Sequence, residues 1–330
     1  MPVKNQPDAR TVVDARPIER LPGPHVAAII LNFNGLQDTR RAVCSLLAIQ
    51  GIDVRTMVVD NGSTADEAAV LIAEFPAIDV DRVAANLGFA RGINRAARRA
   101  LRSGASHLLL MNSDAWFVDG TAVVRGLLDA LAADPSLAAV GPVIRNPDGS
   151  LQSAGYAYSL WWPVSRPLRA PARAKSAAFI SGSCMLIDGR RFAALGGFDP
   201  DFFLYGEDLD FALRAKFAGW RVAIVPDAYA YHTRGASSSI LSNRYAYTAL
   251  RGALIVMKKH ARWYQLPSAA TAAVAISAGL VLFGLRAGNG RAGYAVAKAW
   301  LDFFARRWSG LSGEPLVPAD RPSLADVSAP

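Results

Sequence analysis

The sequence predicts an α/β fold in which helices flank a mostly parallel β-sheet. Apolar, strand-like runs alternate with segments of helical period from residue 26 to residue 115, and this alternation favours parallel strands joined by right-handed crossovers. Hydrophobic residues make up 52% of the 330-residue chain, which is enough for a large core and excludes a disordered protein. Polar residues follow several of the strands, where open α/β sheets bind their ligands.

In the first half, each predicted strand is a short apolar run and each predicted helix places apolar residues on one face. Ser63 or Thr64 is expected to cap the second helix, and Gly104 to end the third. The run Leu108–Met111 is apolar throughout, which suits a strand covered on both faces. The predicted elements are a strand at 26–33, a helix at 36–50, a strand ending at 60, a helix at 65–75, a strand at 80–84, a helix ending before 104 and a strand beginning at 106.

After residue 115 the alternation becomes less regular. Residues 146–175 are rich in Pro, Arg and Trp, and we interpret them as a loop or as an excursion that faces an acceptor. The helix that begins with EDLD carries three carboxylates in its first turn, where the helix dipole favours negative charge. The predicted elements are a helix at 121–133, a strand at 138–144, a strand-like segment at 177–188, a helix at 190–199, a helix at 207–220 and a strand at 220–226.

The two ends of the chain and the cysteines give weaker signals. Residues 1–24 contain prolines and charges of both signs but no apolar run, so we expect a flexible arm and not a secretory signal. Residues 311–330 predict a flexible tail. Only Cys44 and Cys184 are present, which argues against a disulfide framework and for a reducing compartment.

Positive charge is concentrated near the C terminus. From Arg234 to Trp308, eleven Lys and Arg residues accompany one acid, Asp302, giving +10 in a chain whose net charge is +9. A charge-free stretch at 263–285 and the aromatic segment YAVAKAWLDFFARRW lie in the same region. Basic residues beside apolar and aromatic segments favour an anionic membrane surface over nucleic acid. We therefore predict a basic, apolar, helical membrane-associating region at 240–310.

The stretch at 263–285 is long enough to cross a bilayer, which needs about 20 apolar residues. It is nevertheless rich in Ala, Ser, Thr and Gly, and Pro267 lies near its start. The pattern favours a shallow helical hairpin in the membrane interface. A single true span and a helix buried against the rest of the protein both stay open as alternatives.

Four polar clusters lie at predicted strand or helix ends: Asn32 with Asn34, Asp60-Asn61-Gly62-Ser63, Asn112-Ser113-Asp114, and Glu207-Asp208 with His232. One Asp after a strand is more often a turn or cap residue than a ligand, so the prediction depends on their combination. A carboxylate such as Asp114 and an imidazole such as His232 suit Mg²⁺ or Mn²⁺. A carboxylate at a helix start, such as Asp208, can take a proton from an alcohol.

Six motifs follow one another along residues 26–239: ILNFNG, VVDNGSTADE, NLGFARGIN, LLLMNSDA, the long segment from ISGSCMLIDG to GWRVAIVPDA, and YHTRGAS. In this order and spacing they resemble glycosyltransferase family 2, which has the GT-A fold, and in particular its bacterial rhamnosyltransferase-like branch. The resemblance implies a GT-A catalytic domain at 25–239. Its nucleotide-binding half would cover 25–115, and its acceptor and catalytic half 116–239.

The resemblance also implies a role for each candidate site residue. Asp208 would be the general base, Glu207 would orient the acceptor, and Asp114 and His232 would be the metal ligands. The Asp-x-Asp motif of the family reads Asn112-Ser113-Asp114 here, so an amide replaces its first acid; Asp210 is interpreted as structural. Nucleotide-sugar binding is implied for Asn32, Asn34, Asp60, Asn61, Gly62, Ser63, Asn86, Gly88, Arg91, Asn94, Asn112, Ser113, Arg234 and Ser237.

These roles imply an inverting transfer that depends on Mn²⁺ or Mg²⁺. A divalent cation and a nearby Arg stabilise the charge on a leaving diphosphate, and a single displacement at a sugar carbon inverts its configuration. The branch favours dTDP-rhamnose as the donor and a lipid-linked or polysaccharide acceptor in bacterial cell-surface glycan synthesis. This chemistry would take place at the cytoplasmic face of the inner membrane.

Three other functions were weighed. A dinucleotide-dependent oxidoreductase is disfavoured because the first strand is followed by NFNG and not by a G-x-G-x-x-G turn. A nucleic-acid-binding protein is disfavoured because the basic residues alternate with long apolar runs and match no nucleic-acid-binding motif. A sugar-nucleotide-binding protein without turnover stays open.

Overall fold

The computed structural model describes residues 25–169, 177–233 and 243–307. In chain order the elements are β1 (His25–Asn32), α1 (Leu36–Leu47), β2 (Asp53–Asp60), α2 (Glu67–Glu74), β3 (Asp79–Arg82), α3 (Phe89–Arg102), β4 (His107–Asn112), β5 (Ala115–Trp116), α4 (Gly120–Ala133), β6 (Leu137–Arg145), β7 (Leu151–Ser153), β8 (Tyr156–Ser159), β9 (Trp162–Pro167), β10 (Cys184–Asp188), α5 (Gly189–Ala194), α6 (Glu207–Phe217), β11 (Arg221–His232), α7 (Asn243–His260), a 3-10 helix (Trp263–Gln265), α8 (Leu266–Arg286) and α9 (Ala292–Phe304).

The main sheet has the strand order β3-β2-β1-β4-β10-β6-β11-β5, and β7 pairs with β6. The first four strands of this order are parallel. Strand β10 runs antiparallel between β4 and β6, whereas β6 and β11 are parallel. The predicted helix-flanked α/β sheet is confirmed, and β10 makes it a mixed sheet. Because β1 lies between β2 and β4, the chain order switches direction at β1, and such a switch opens a ligand crevice at the carboxyl ends of the strands.

Both faces of the sheet are covered, as the continuous apolar runs predict. Along β1, Ala27 and Ile29 pack into the core on one face, and Val26, Ala28 and Ile30 pack into the core on the other. Helices α3 and α6 contribute to the first core, and α1 and α4 to the second. The sheet edge is thereby held rigidly, and the side chains that follow the strands have fixed positions.

Several local predictions differ from the structure. Helix α2 is capped by Asp66, whose Oδ1 accepts the Ala69 N–H at 3.1 Å, and not by Ser63 or Thr64, because Ser63 is used in the polar cluster described below. The described part of 146–175 forms β7 and the separate two-stranded β8–β9 hairpin. Within the strand-like segment 177–188, only the last five residues form a strand, β10. The last strand continues well beyond residue 226, to His232.

Helices α7, α8 and α9 pack together around a third apolar cluster. Helix α7 also contacts the residues that precede α6. A Cβ atom at Gly252 would overlap the Tyr205 carbonyl oxygen, so only glycine permits this close approach. Lys259 forms ion pairs with Asp199 and Asp201. The segment predicted to associate with a membrane thus begins with a helix that holds the loop before α6.

Candidate active site

Polar side chains from three adjacent strands meet at the carboxyl edge of the sheet. Asn32, Asp60 and Asn112 end β1, β2 and β4. Asn32 pairs in register with Asp60, and its neighbour Leu31 pairs with Asn112. The sequence-based expectation that these clusters lie together is thereby met by the topology.

Asn32 is completely buried, and its amide is engaged within the protein. Its Nδ2 donates to Glu67 Oε2 at 2.7 Å, and its Oδ1 accepts from Thr39 Oγ1 at 2.8 Å. Asn34 has a φ of +53°, its backbone N–H donates to Ser63 Oγ at 2.9 Å, and its Oδ1 accepts the Thr64 N–H at 2.9 Å. These contacts fix the loops after β1 and β2, and the predicted contact of Asn32 with a nucleotide stays a prediction.

Asp60 is a fully buried acid that lies close to two residues lining an open cavity. Its Oδ1 accepts the Ser63 N–H at 3.3 Å, whereas Oδ2 is buried without a hydrogen-bond partner within the described part of the chain. Arg82 Nε lies 3.8 Å from that Oδ2. Ser63 and Arg82, with Val83 and Ala84, line the adjoining cavity. A buried acceptor without a partner is costly unless a ligand completes it, so this geometry suits a base with hydrogen-bond donors.

The turn after β2 is tied to the loop before α3. Asn61 Nδ2 donates to Asn86 Oδ1 at 3.0 Å, and Asn61 Oδ1 accepts the Leu87 N–H at 3.0 Å. Gly62 has a φ of +80°, and a Cβ there would lie 2.6 Å from the carbonyl carbon of Ala85, so only glycine fits. Asn86 Oδ1 also accepts the N–H of Gly88, the N-cap of α3, at 2.8 Å.

Arg91 and Asn94 point from α3 to a different segment. Asn94 is buried; its Nδ2 donates to the Phe198 carbonyl oxygen at 2.6 Å and its Oδ1 accepts the Phe198 N–H at 2.9 Å. Arg91 Nε donates to the Pro200 carbonyl oxygen at 3.2 Å. The structure thus brings these two residues to the loop before α6, where they hold backbone. Their predicted contact with a nucleotide-sugar stays a prediction.

Asp114 and His232 form a direct pair, with Asp114 Oδ1 3.0 Å from His232 Nε2. The other ring nitrogen, Nδ1, lies 2.9 Å from Gln152 Oε1, and Gln152 Nε2 donates to the His232 carbonyl oxygen at 3.1 Å and to Asn146 Oδ1 at 2.9 Å. Because the amide nitrogen of Gln152 has two acceptors, its oxygen faces Nδ1, which must then donate a proton. Nε2 is thereby left to face Asp114 and any cation held there.

The donor chemistry of this pair fits a divalent cation. A carboxylate and a neutral imidazole are ligands for Mn²⁺ and Mg²⁺, and an outer hydrogen bond from the imidazole is the usual support for a metal-binding His. Across residues 25–169, 177–233 and 243–307, no group of three or more His, Cys, Asp or Glu side chains is arranged to hold a metal ion. The pair therefore needs further ligands, and substrate phosphate oxygens are suitable ones.

Two adjacent acids begin α6. Glu207 is buried, and its Oε2 has no hydrogen-bond partner among the described residues. Burial, with the nearby Asp208 carboxylate, raises the pKa of Glu207 to about 8. Burial also raises the pKa of Asp208, although its oxygens accept the Gly182 N–H at 3.1 Å and the Leu209 N–H at 2.8 Å. The two N–H donors favour the charged form of Asp208, whereas burial favours the protonated form of Glu207 at neutral pH.

A short segment before β10 connects the acids to the strand ends. Ser183 accepts the Asn112 N–H through its carbonyl oxygen at 2.9 Å, and the preceding residue, Gly182, donates to Asp208. The Ser183 hydroxyl is buried without a partner within the described part of the chain. The end of β4 and the start of α6 are therefore neighbours, connected by the backbone of Gly182 and Ser183.

Asp210, also in the first turn of α6, is engaged by other side chains of the protein, in agreement with its interpretation as structural from the sequence. It forms ion pairs with Arg214 at 2.7 Å and His260 at 2.8 Å. Burial alone would raise the pKa of Asp210, but the hydrogen bond from His260 and the charge of Arg214 keep it below its usual value. The predicted site residues Arg234 and Ser237 lie outside the described residues.

Sequence reasoning missed three residues of this site: Glu67, Arg82 and Gln152. Glu67 ends the motif VVDNGSTADE, and Arg82 ends β3, so strand-end position alone was a usable signal for Arg82. Gln152 carries no local signal, because it reaches the site only through tertiary packing.

Known proteins resemble this chain in sequence and in fold. A family model described as "Glycosyltransferase like family 2" matches residues 22–265. The chain belongs to this family. It is similar to N-acetylglucosaminyl-diphospho-decaprenol L-rhamnosyltransferase of Mycobacterium tuberculosis, with 28% identity over 277 residues, covering 74% of this chain and 84% of that protein. The resemblance to the rhamnosyltransferase-like branch of family 2 is confirmed.

Solved glycosyltransferase structures share the fold. The mannosyltransferase PcManGT of Pyrobaculum calidifontis, in complex with GDP-Man and Mn²⁺, superposes with a TM-score of 0.55 at 17% identity, covering 86% of this chain and 88% of that one. GalNAc-T7 with UDP, GalNAc and Mn²⁺ superposes with a TM-score of 0.58 at 15% identity, covering 73% of this chain and 48% of that one. This family 2 glycosyltransferase therefore has the GT-A fold, as predicted.

Proposed function

We propose that this protein is a metal-dependent, inverting glycosyltransferase that moves a sugar from a nucleotide diphosphate-sugar to a hydroxyl of a lipid-linked or polysaccharide acceptor. One observation carries the proposal: Gln152 orients the Asp114–His232 pair, and Gly182 and Ser183 connect the strand end just before Asp114 to the acid Asp208. Such a transfer needs a bound cation that stabilises the leaving diphosphate and a carboxylate that accepts the proton of the acceptor.

The donor side follows from the strand-end residues. Arg82 and Ser63 line the open cavity, and together with the neighbouring Asp60 they would take the base of the nucleotide. Asp114 and His232 would hold Mn²⁺ or Mg²⁺ next to the diphosphate. When bound, the cation supplies positive charge for the diphosphate as it leaves. Arg234 and Ser237 are proposed to contact the same diphosphate.

The acceptor side follows from the acidic pair. Asp208 accepts the proton of the acceptor hydroxyl while the hydroxyl oxygen forms a bond to the anomeric carbon and the bond from that carbon to the diphosphate oxygen breaks. One displacement of this kind inverts the anomeric configuration. Glu207, protonated at neutral pH, has an oxygen without a partner and is proposed to orient the acceptor through a hydrogen bond.

Donor, acceptor and location are proposed more specifically. The motifs and the similarity to a rhamnosyltransferase that acts on a diphospho-decaprenol lipid support dTDP-rhamnose and a lipid-linked acceptor in cell-surface glycan synthesis. One helix of the described chain, Trp263–Arg286, is long and apolar enough to cross a bilayer, and less than a quarter of its apolar stretch is buried. This exposure supports attachment to an anionic membrane, proposed to be the cytoplasmic face of the inner membrane, over a helix buried in the core.

A panel of nucleotide-sugars tests the function. The purified full-length protein is incubated with Mn²⁺ or Mg²⁺ and each donor, and we measure its unfolding temperature and sugar transfer to a polyprenyl diphosphate-linked acceptor. We expect stabilisation by a nucleotide diphosphate-sugar and transfer that needs the metal. Binding without transfer to any acceptor would favour a sugar-nucleotide-binding protein, and an absence of binding would reject the proposal.

A further inference from the structure

A cationic side chain without an assigned role lies beside the crevice. Arg244 is in the first turn of α7, and its guanidinium lies 5.6 Å from the ring centre of Phe33, the residue after β1. Its Nε is buried and has no hydrogen-bond partner among the described residues. Burial lowers the pKa of Arg244 in spite of the nearby Tyr205. The folded chain therefore holds this charge where desolvation disfavours it.

Tyr205 relates Arg244 to the catalytic groups. The Tyr205 phenol lies within electrostatic range of Arg244, Asp114 and Glu207. It belongs to the turn directly before α6, on which α7 packs through Gly252. Arg244 is thus located between the end of β1 and the turn that carries the acidic pair.

We propose that Arg244 binds a diphosphate group of the substrate, an assignment that rests on the proposed glycosyl transfer. The partly exposed guanidinium of Arg244, whose buried Nε has no hydrogen-bond partner among the described residues, gains from an anion, and its planar fork matches two phosphate oxygens. The diphosphate has two sources in the proposed reaction: the nucleotide-sugar donor and a diphosphate-linked lipid acceptor. Either one would meet Arg244 at the crevice.

The variant Arg244→Met keeps most of the side-chain length and removes the charge. We expect the ligand-free variant to unfold at a higher temperature than the parent, because a partly desolvated charge whose buried Nε has no hydrogen-bond partner among the described residues is gone. We also expect the diphosphate-bearing substrate to bind about tenfold more weakly, since a charge-assisted hydrogen bond is lost. A merely structural arginine would show neither the rise in unfolding temperature nor the loss of binding.

Calorimetry and kinetics distinguish the two sources. If the donor supplies the group, Arg244→Met lowers the affinity for a nucleoside diphosphate much more than the affinity for the corresponding monophosphate. If the acceptor supplies it, nucleotide affinity is unchanged and the KM for the diphosphate-linked lipid rises. Arg244→Lys should retain part of the binding, and Arg125→Ala, on the exposed surface of α4, should change nothing. Unchanged nucleotide affinity and unchanged KM in Arg244→Met would overturn the assignment, whereas a parent protein that binds no nucleotide would refute the proposed function.

A second observation concerns an exposed aromatic surface formed by Trp161, Trp162, Trp263 and Tyr264. Trp161, next to β9, is 60% exposed, and its ring centre lies 5.6 Å from that of Tyr264. Trp263, before α8, is 80% exposed, and its ring centre lies 5.7 Å from the same Tyr264 ring. Trp162 is also exposed. Two segments that are distant in the sequence therefore share one surface.

We infer that the β8–β9 hairpin enters the headgroup region of a lipid bilayer together with the start of α8, which deepens the membrane attachment proposed above. Trp and Tyr favour the membrane–water interface because their rings have an apolar body and a polar edge. The exposed cations Arg166, on β9, and Arg262, directly before Trp263, complement anionic headgroups. These charges and the adjoining apolar α8 favour a bilayer over a protein partner.

Vesicle flotation at low salt tests this inference with the full-length protein. The double variant Trp161→Ser/Trp162→Ser should bind vesicles of phosphatidylglycerol and phosphatidylcholine several-fold more weakly than the parent and still bind nucleotide. Trp161→Phe/Trp162→Phe should retain binding, and Ile72→Ser, which changes an exposed apolar residue on α2, is the matched control. Equal flotation of the Ser variant and the parent would overturn the role of the hairpin, whereas a parent that does not float would refute membrane attachment itself.

Discussion

The Nδ1 atom of His232 lies 2.9 Å from Oε1 of Gln152, and this contact fixes which ring nitrogen faces Asp114. Strand β7, which carries Gln152, and strand β11, which carries His232, both pair with β6. A short edge strand thereby sets the orientation of a proposed metal ligand. The relationship is visible only in the folded protein.

Replacing Gln152 should weaken metal binding without removing a ligand. We expect Gln152→Leu to lower the Mn²⁺ affinity of the nucleotide complex by about 10- to 100-fold, as is usual when the outer hydrogen bond of a metal-binding His is lost. Gln152→Glu keeps an acceptor for the Nδ1–H group of His232, so its Mn²⁺ affinity should fall less than that of Gln152→Leu. Isothermal titration with Mn²⁺ in the presence of a nucleoside diphosphate measures both variants. An unchanged affinity in Gln152→Leu would show that the hydrogen bond does not support a metal ligand.

Removing either member of the Asp114–His232 pair should uncouple nucleotide binding from the metal. We expect Asp114→Ala and His232→Ala each to weaken donor binding to the level that the parent shows without Mn²⁺. Nucleotide titrations with and without Mn²⁺ measure the difference. A variant that keeps the metal response of the parent would exclude that residue as a ligand.

Glu207 should make the stability of the protein depend on pH. Burial raises the pKa of Glu207 from 4.5 to about 8, so between these values the folded protein holds a proton that the unfolded chain has released. The free energy of unfolding therefore falls as pH rises through this range. We expect the free energy of unfolding of Glu207→Gln to fall less steeply with pH than that of the parent. At pH 8 the variant should unfold at a higher temperature than the parent.

Calorimetry of both proteins at several pH values across this range measures the effect. The exposed Glu74, whose pKa is lowered by its hydrogen bond with Arg40, provides the control, because Glu74→Gln should leave the slope above pH 5 unchanged. Parallel curves for the parent and Glu207→Gln would contradict the raised pKa.

The exposed face of α8 should be required for membrane attachment. Val274 and Leu282 are large apolar residues exposed on this helix, and replacing both by Glu should abolish flotation with anionic vesicles. High salt should release a peripheral form by screening its charges, but it should leave a spanning form in place. Full-length protein that stays in solution with anionic vesicles at low salt would contradict the proposal.

Much of the fold could be predicted because the hydrophobic patterns of strands and helices are local features of the sequence. Apolar runs and helical periods located the elements, and their alternation predicted that Asn32, Asp60 and Asn112 would share one edge. The antiparallel insertion of β10 could not be predicted, since its run resembles any buried strand. The β8–β9 hairpin was interpreted as a loop or excursion because Pro and Trp obscure its alternation.

The acidic residues of the proposed site could be predicted from the sequence, but the residues that position them could not. Strand and helix ends indicated Asp114, His232 and Asp208, whereas Gln152 reaches His232 only through the pairing of β7 and β11 with β6. The prediction for Asn32 assumed that a strand-end amide faces a ligand. In the structure this amide is engaged by Glu67 and Thr39, a competition among neighbours that the sequence does not reveal.

Asp208→Asn separates binding from chemistry. The amide has nearly the same shape as the carboxylate but cannot accept the proton of an acceptor hydroxyl at neutral pH. We expect the variant to bind the nucleotide-sugar and Mn²⁺ with the affinity of the parent in calorimetry, and to lose sugar transfer in a direct assay with the same preparation. Transfer within a few-fold of the parent rate would exclude Asp208 as the general base and contradict the proposed mechanism.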